Sequence, residues 1–224
     1  MRAMRLPLLV AIALGAVGSA CTEAVEFEGA GASRSQPPVV ADFVYQAPED
    51  GVRFEARRID AEGLRFGGFR INLVQNLVLD EVTIRLDVIG SEGVEPSRPA
   101  QFSALAAGLE VASRLVPFAS GATVLERAHV EISRRGAWLH RIRADQARPR
   151  ESNLELSGGV RIETRRGEVL TADRASWRID DWTLSVPGRF ALTRGDRSAA
   201  GANGRFELHP DGTLRVSDAM DGAR

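Results

Sequence analysis

Asn153–Leu192 reads NLELSGGVRIETRRGEVLTADRASWRIDDWTLSVPGRFAL, with apolar residues at every second position and charged ones between them. Leu154, Leu156, Val160 and Ile162 share one parity, while Glu155, Arg161, Glu163 and Arg165 share the other. A period of two sends successive side chains to opposite faces of a strand, so the stretch reads as a long half-buried strand and not as a helix. After an expected turn at Arg165-Arg166-Gly167 the pattern resumes as Val169, Leu170 and Ala172. It then slips by one residue near Asp173-Arg174 and continues as Ala175, Trp177 and Ile179. A slip of that kind is the signature of a β-bulge. Asp180-Asp181 predicts a turn into Trp182, Leu184 and Val186, and Pro187-Gly188 predicts another into Phe190 and Leu192.

The same grammar extends in both directions. Upstream, Val124, Ala128, Val130 and Ile132 form one expected face, and Trp138, His140, Ile142 and Ala144 follow a turn at Arg134-Arg135-Gly136. Downstream, Phe206 and Leu208, a turn at Pro210-Asp211-Gly212, and Leu214 and Val216 make a last hairpin. Gly136 and Gly167 mark units about 30 residues apart. Nearer the N-terminus the expected faces are Val39, Ala41, Phe43 and Tyr45, then Val52, Phe54 and Ala56, then Phe69, Ile71 and Leu73, then Val82, Ile84, Leu86 and Val88. Glu49-Asp50-Gly51 and Glu62-Gly63 are expected turns, and Gly67-Gly68 a bend or bulge. Glu92–Pro99 reads as a loop. After it Phe102, Leu105, Ala106, Leu109, Ala112 and Val116 fall at helical spacing, before Pro117. The polar side of that helix carries only Glu110 and Arg114, where a membrane-surface helix would be rich in bases, so a cap over an open end of the sheet fits it better than a membrane- or partner-facing helix. The expected fold is all-β, a mainly antiparallel jelly roll or folded open sheet over 39–217, with one short helix inserted at about 101–116 and a tail at 218–224.

The 29 bases, every one of them Arg, nearly cancel the 30 acids, so no electrostatic footprint argues for nucleic acid. Arg2 and Arg5 precede an apolar run, Leu6–Ala20, that is short for a bilayer span and ends in Gly18-Ser19-Ala20. The layout of 1–21 is that of an export signal, and Cys21, the sole cysteine, stands where a lipidated cysteine would begin the mature chain. Gly18 replaces the usual aliphatic residue three places before such a cysteine. Simple secretion with a free thiol and an uncleaved anchor are the competing readings. Residues 22–38, ending in Pro37-Pro38, have no periodicity and read as a tether.

The residues of chemistry are sparse in the sequence. His129, His140 and His209 have no Cys, Asp or Glu at ligand spacing, so no metal is expected. No G-x-S-x-G, phosphate-cradling loop or Cys-His pairing occurs, and Asp180-Asp181 occupies a turn; no cofactor and no catalysis are expected. What remains is a sheet with one continuous apolar face. That face is either a closed core or the lining of an open roll that holds acyl chains, each buried CH₂ contributing about 0.8 kcal/mol.

A strand ending in Ser157-Gly158-Gly159-Val160-x-Ile162, followed by Gly167, Leu170, Ala172, Ala175 and Trp177, and then by Pro187, Gly188 and Phe190, resembles the repeat of the LptC/LptA (OstA-like) family of periplasmic lipopolysaccharide-transport proteins. The match covers roughly Thr123 to Val216, with a weaker echo at Gly51 to Asp60. The resemblance implies a β-jellyroll in the periplasm that passes lipopolysaccharide, or another lipid, along a groove. It further implies edges that pair with other jellyroll transport proteins, and association with an ABC transporter and with a membrane through an N-terminal anchor. On this chain the groove would be lined by Leu154, Leu156, Val160, Ile162, Leu170, Trp177, Trp182, Phe190 and Leu192. Membrane-bound relatives carry a longer N-terminal helix than this chain does, and the helix near 101–116 is not part of their pattern.

Overall fold

The computed structural model describes residues 39–66, 69–89, 97–116, 119 and 121–219; Cys21, the expected signal and the expected tether lie outside them. Ten strands form a single sheet in chain order: β1 (Val40–Ala47), β2 (Val52–Phe66), β3 (Phe69–Asp87), β4 (Thr123–Arg134), β5 (Ala137–Arg150), β6 (Asn153–Thr164), β7 (Glu168–Arg178), β8 (Thr183–Arg194), β9 (Arg197–Leu208) and β10 (Leu214–Ala219). Every pair is antiparallel except β3–β4, which is parallel because helix α1 (Arg98–Leu115) returns the chain to its starting end. The all-β, open, mainly antiparallel sheet with one short helix is the expected fold class.

A line of irregularities crosses the strands at mid-length and folds the sheet. Register breaks or skipped pairs fall at Asp42, Arg57, Glu81, Arg127, Ala144-Asp145, Gly158-Gly159, Asp173, Pro187-Gly188 and Asn203, each opposite the next. Asp42, Glu81, Arg127, Gly158, Gly159, Gly188 and Asn203 have positive φ, which inserts an extra residue and bends the strand. The line is a crease. It divides the sheet into leaf A, which carries the turns at 48–51, 135–136, 165–167 and 195–196, and leaf B, which carries those at 151–152, 179–182 and 209–213.

The leaves close face to face over one continuous core. Phe54, Ile84 and Ile132 on leaf A, and Ile59, Leu79 and Leu125 on leaf B, are all fully buried within it. Fully burying one such side chain stabilises by about 1.5–3 kcal/mol, so the core supplies the main driving force for keeping the crease folded.

Helix α1 lies along the free edges, opposite the crease. Ser97 caps its N-terminus by accepting the Ala100 N–H at 3.3 Å, and Pro99 sits in its first turn, where a missing N–H goes unused. The helix therefore starts at Arg98, inside the segment expected as loop. Gln101 Nε2 donates to Asp87 O at 2.8 Å on leaf A, and Arg98 lies 4.6 Å above the Trp182 ring on leaf B. Its buried face is Gln101, Ala104, Leu105, Gly108 and Ala112, so Ala106 turns outward and the expected face is rotated.

The structure corrects several other expectations. Pro187-Gly188 is a bulge inside β8 and not a turn, and Glu62-Gly63 lies within β2, whose pairing with β3 continues to Phe66 and Phe69; the expected bend or bulge at Gly67-Gly68 lies outside the described residues. The extra residue at Asp42 shifts the parity of β1, leaving Val39 and Ala41 exposed while Phe43, Tyr45 and Ala47 are buried. A bulge at Arg127 likewise brings Leu125 into the main core cluster, while Val124 is buried outside it. At Leu139 two residues of β5 face one of β4, which moves Trp138 out of the His140 face to lie beneath the Arg141 guanidinium at 4.5 Å.

Candidate functional site

The expected lining residues meet on one interior surface. Leu154, Leu156, Val160, Ile162, Leu170, Trp177 and Trp182 are buried, while Phe190 and Leu192 are half-buried against them. Glu163, Arg161 and Arg165 point to the solvent side, where Arg161 Nε donates to Glu163 Oε1 at 2.7 Å and holds that carboxyl below its usual range. Direct cross-strand partners share a face, so the pairs Leu154–Trp177, Ile162–Leu170 and Ala172–Phe190 assemble the surface row by row.

Burial along these rows is uneven. In the row Ile162–Leu170–Leu192–Ala199, Ile162 is 0% and Leu170 1% exposed, Leu192 is half-buried, and Ala199 is exposed. The cause is the length of β10, which pairs with Gly204–Leu208 on leaf B and leaves Arg197–Asn203 of β9 with no further strand among the described residues. The interior is thus unsealed at the β8–β9 end. Phe190 stands at this mouth, edge to face with Phe206 at 5.1 Å across the crease, and Val216, paired with Phe206, is 56% exposed at the same rim.

The free edges of the leaves are joined by polar contacts that the sequence pattern did not mark as a group. His140 on leaf A is fully buried, and its Nε2 lies 2.7 Å from the backbone O of His209 on leaf B. A carbonyl only accepts, so Nε2 carries the proton and Nδ1 is the bare nitrogen; Nδ1 is buried with no partner among the described residues. Burial lowers the His140 pKa below its ordinary value, against the raising effect of the His209 carbonyl. Beside it, Glu168 Oε2 accepts from Thr164 Oγ1 at 3.0 Å and from the Leu214 backbone N–H at 2.8 Å. Glu168 shares the parity of Leu170 and Ala172, and an acid on the dry parity was the available signal in the sequence.

On the other side of the fold a cleft of about 170 Å³ lies between α1 and the leaf B turns, lined by Phe102, Leu105, Leu109, Pro149, Leu154 and Ile179. The indole Nε1 donors of Trp177 and Trp182 are buried without an acceptor among the described residues. These donors and the mouth are the polar and apolar handles of the interior. No group of three or more His, Cys, Asp or Glu side chains gathers at metal-binding range among the described residues, and no helix there is long and apolar enough to cross a membrane.

Fold and site together define a class: a creased single-sheet β protein whose apolar inner face becomes exposed toward the β8–β9 end. No protein-family model and no curated protein sequence matches the chain.

Proposed function

We propose that this chain is a non-catalytic, LptC-like carrier in the periplasm that holds the acyl chains of lipopolysaccharide, or of another lipid, against its interior face. The observation that supports this reading is the graded row Ile162–Leu170–Leu192–Ala199, an apolar surface that runs from the sealed core out to the solvent at the β8–β9 end. Aliphatic side chains left half-exposed in a row are stabilised when a chain of CH₂ groups covers them, by about 0.8 kcal/mol for each group buried.

Among the described residues the exposed large hydrophobic side chains, Val39, Val44 and Val216, lie beside or on the two edge strands, β1 and β10. An unpaired strand edge is a template for another strand, so both edges favour docking to jellyroll transport proteins. This arrangement also supports the reading of a scaffold that binds only proteins. Anchoring through lipid on Cys21 and association with an ABC transporter belong to the proposal through the resemblance alone.

Photo-crosslinking in cells tests the carrier. A crosslinking residue at Leu192 captures lipid, and one at Ile162 does so less efficiently because that position is sealed; the solvent-facing Glu163 captures none. A stably folded, exported protein that yields no lipid adduct at Leu192 leaves only the scaffold. Labelled palmitate entering the wild type and not a Cys21→Ser variant tests the anchor separately.

A further inference from the structure

We propose that the contact between His140 and the carbonyl of His209 is an acid-released latch, which holds the free edges of the two leaves together and opens that seam when His140 takes a second proton. The inference concerns the sheet itself and needs no lipid in the interior.

The geometry places the latch where the fold has least other support. The crease joins the leaves along one side through nine continuous strands, whereas on the opposite side the polar contacts between them among the described residues come from α1 and from the turn between β9 and β10. That turn rests on leaf A at few points. His209 O faces His140 Nε2, Leu214 N–H donates to Glu168, and Gly212 lies against Arg165 and Leu139, where an added Cβ would come within 3.3 Å of Arg165 Cβ. The turn is otherwise held by its own bonds: His209 N–H to Thr213 O at 2.9 Å, Gly212 N–H to His209 O at 2.9 Å, and Asp211 to Thr213. It can therefore move as a unit once its contacts with leaf A weaken.

The chemistry of His140 makes that weakening dependent on protons. The neutral ring satisfies its surroundings on one side only, donating from Nε2. A second proton must go to Nδ1, which has no acceptor among the described residues and no exposure to water. The titratable groups that act on the ring are Glu168 from β7 and Asp211 and His209 from the turn. Asp211 and Glu168 favour the charged ring through space, but neither accepts from Nδ1. Glu168 is committed to Thr164, to the Leu214 amide and, at 3.6 Å, to Arg194, while Asp211 is committed to Thr213, to His209 Nδ1 at 2.9 Å and to Arg215 at 3.3 Å. A buried imidazolium with one ring N–H unpaired is relieved by water, and the nearest way to admit water is to lift the 209–213 turn. Opening there would widen the mouth at Phe190 and Val216 from the side of the free edges.

Hydrogen exchange of the full-length protein, followed by mass spectrometry and corrected for the intrinsic pH dependence, reads the latch directly. The seam amide of Leu214, whose acceptor Glu168 lies on the other leaf, is expected to exchange up to about tenfold faster for each pH unit from about 6.5 down to the depressed His140 value, to level off below it, and to stay less protected throughout than the β6–β7 amides around Ile162 and Leu170. His140→Gln keeps a donor for His209 O without a titrating ring, and it is expected to abolish the acid acceleration. Equal acceleration in wild type and His140→Gln overturns the latch, as does a Leu214 amide that stays as protected as the β6–β7 amides at every pH. If the variant does not fold, the wild type decides through NMR titration of the His140 ring. A ring that titrates while the Leu214 amide stays protected rejects the proposal, whereas coincident midpoints support it. No arm uses lipid, so failure of the carrier reading at Leu192 leaves this result standing.

Discussion

Asn203 on β9 reaches across the crease to β8, where its Oδ1 accepts the backbone N–H of Gly188 at 2.9 Å. Both residues hold positive φ, 55° at Asn203 and 89° at Gly188, so each strand bends where its neighbour does and one side chain ties the two bends together. Asn is the non-glycine residue that enters this region most readily. Asn203→Ala is expected to lower stability by about 1–2 kcal/mol, from the backbone strain plus a modest exposed hydrogen bond. Asn203→Gly keeps the backbone freedom and loses only the hydrogen bond, so its loss is expected to stay below about 1 kcal/mol. Urea midpoints of the two variants measure the difference, and the reverse order would show that backbone strain is not what fixes the bend.

The crease on β6 makes a sharper prediction, because there the backbone and the space act together. Gly158 has φ of 74°, and a Cβ on it would fall 2.5 Å from Asp145 Oδ2 and 2.8 Å from Asp145 Cβ. Gly136, in the turn between β4 and β5, has nearly the same φ, 75°, with open space around it. Gly136→Ala therefore reports the conformational term alone, about 1–2 kcal/mol. Gly158→Ala adds the clash with Asp145 and is expected to cost 1–3 kcal/mol more. Similar losses at the two positions would mean that Asp145 swings away freely and does not pack across the crease.

Much of the interior was legible from alternation, since a strand that is dry on one side writes its burial at every second residue. Leu154, Leu156, Val160, Ile162, Leu170 and Trp177 were placed on one face by parity and share one face in the fold. Parity failed where a bulge is not marked by residue type. The slip near Asp173-Arg174 shows in the apolar pattern, but Gly158-Gly159 reads as plain strand, Asp42 and Arg127 take positive φ without glycine, and one inserted residue leaves Val39 and Ala41 exposed and Val124 outside the main core. The latch was half legible. Glu168 stands on the dry parity and so needs a partner, yet the partner is the amide of Leu214, 46 residues on, and only the folding of the leaves brings it there.

Acid should weaken the whole fold in a window set by histidine. Burial depresses the pKa of His140 below its unfolded value of about 6.5, and the unfolded chain therefore binds the proton more readily. Its contribution is fully present above that value. It is lost as pH falls from about 6.5 toward the depressed folded value, with a limiting slope of about 1.4 kcal/mol per pH unit. His129, also lowered by burial and by the nearby Arg143, gives a second share of the same sign. The carboxylates of Glu163, Asp181 and Asp211, held low by hydrogen bonds and by neighbouring Arg or His, lose their contributions only below about pH 4.5, which keeps the windows apart. Urea unfolding at several pH values between about 7.5 and 5 is expected to show a shallower decline for His140→Gln than for the wild type, with the His129 share remaining. Parallel curves would mean that His140 titrates alike in the folded and unfolded chains.

The seat of α1 on the sheet is set by a missing side chain. Gly108 lies on the buried face of the helix, and a Cβ there would fall 2.7 Å from Cδ1 and 3.1 Å from Cγ of Tyr45, so the ring of β1 occupies the space a larger residue would need. Gly108→Ala improves helix propensity by about 0.8–1 kcal/mol and, were the helix unconstrained, would stabilise the protein. Overpacking against a buried ring opposes it by about 1–3 kcal/mol, and the ring can yield little because Tyr45 is itself 6% exposed between the helix and β2. A net loss is therefore expected for Gly108→Ala, and a larger one for Gly108→Val, which adds a β-branched side chain with a stiff χ1. Tyr45→Ala removes the obstacle and is expected to destabilise by about 3 kcal/mol or more on its own, as aromatic truncations in a core do. On that background Gly108→Val should change from destabilising to neutral or stabilising. The cycle formed by the wild type, the two single variants and the double variant isolates the contact, with an expected coupling of about 1–3 kcal/mol. Additive losses would show that α1 does not bear on Tyr45 and that the helix covers the β1 end of the core only loosely.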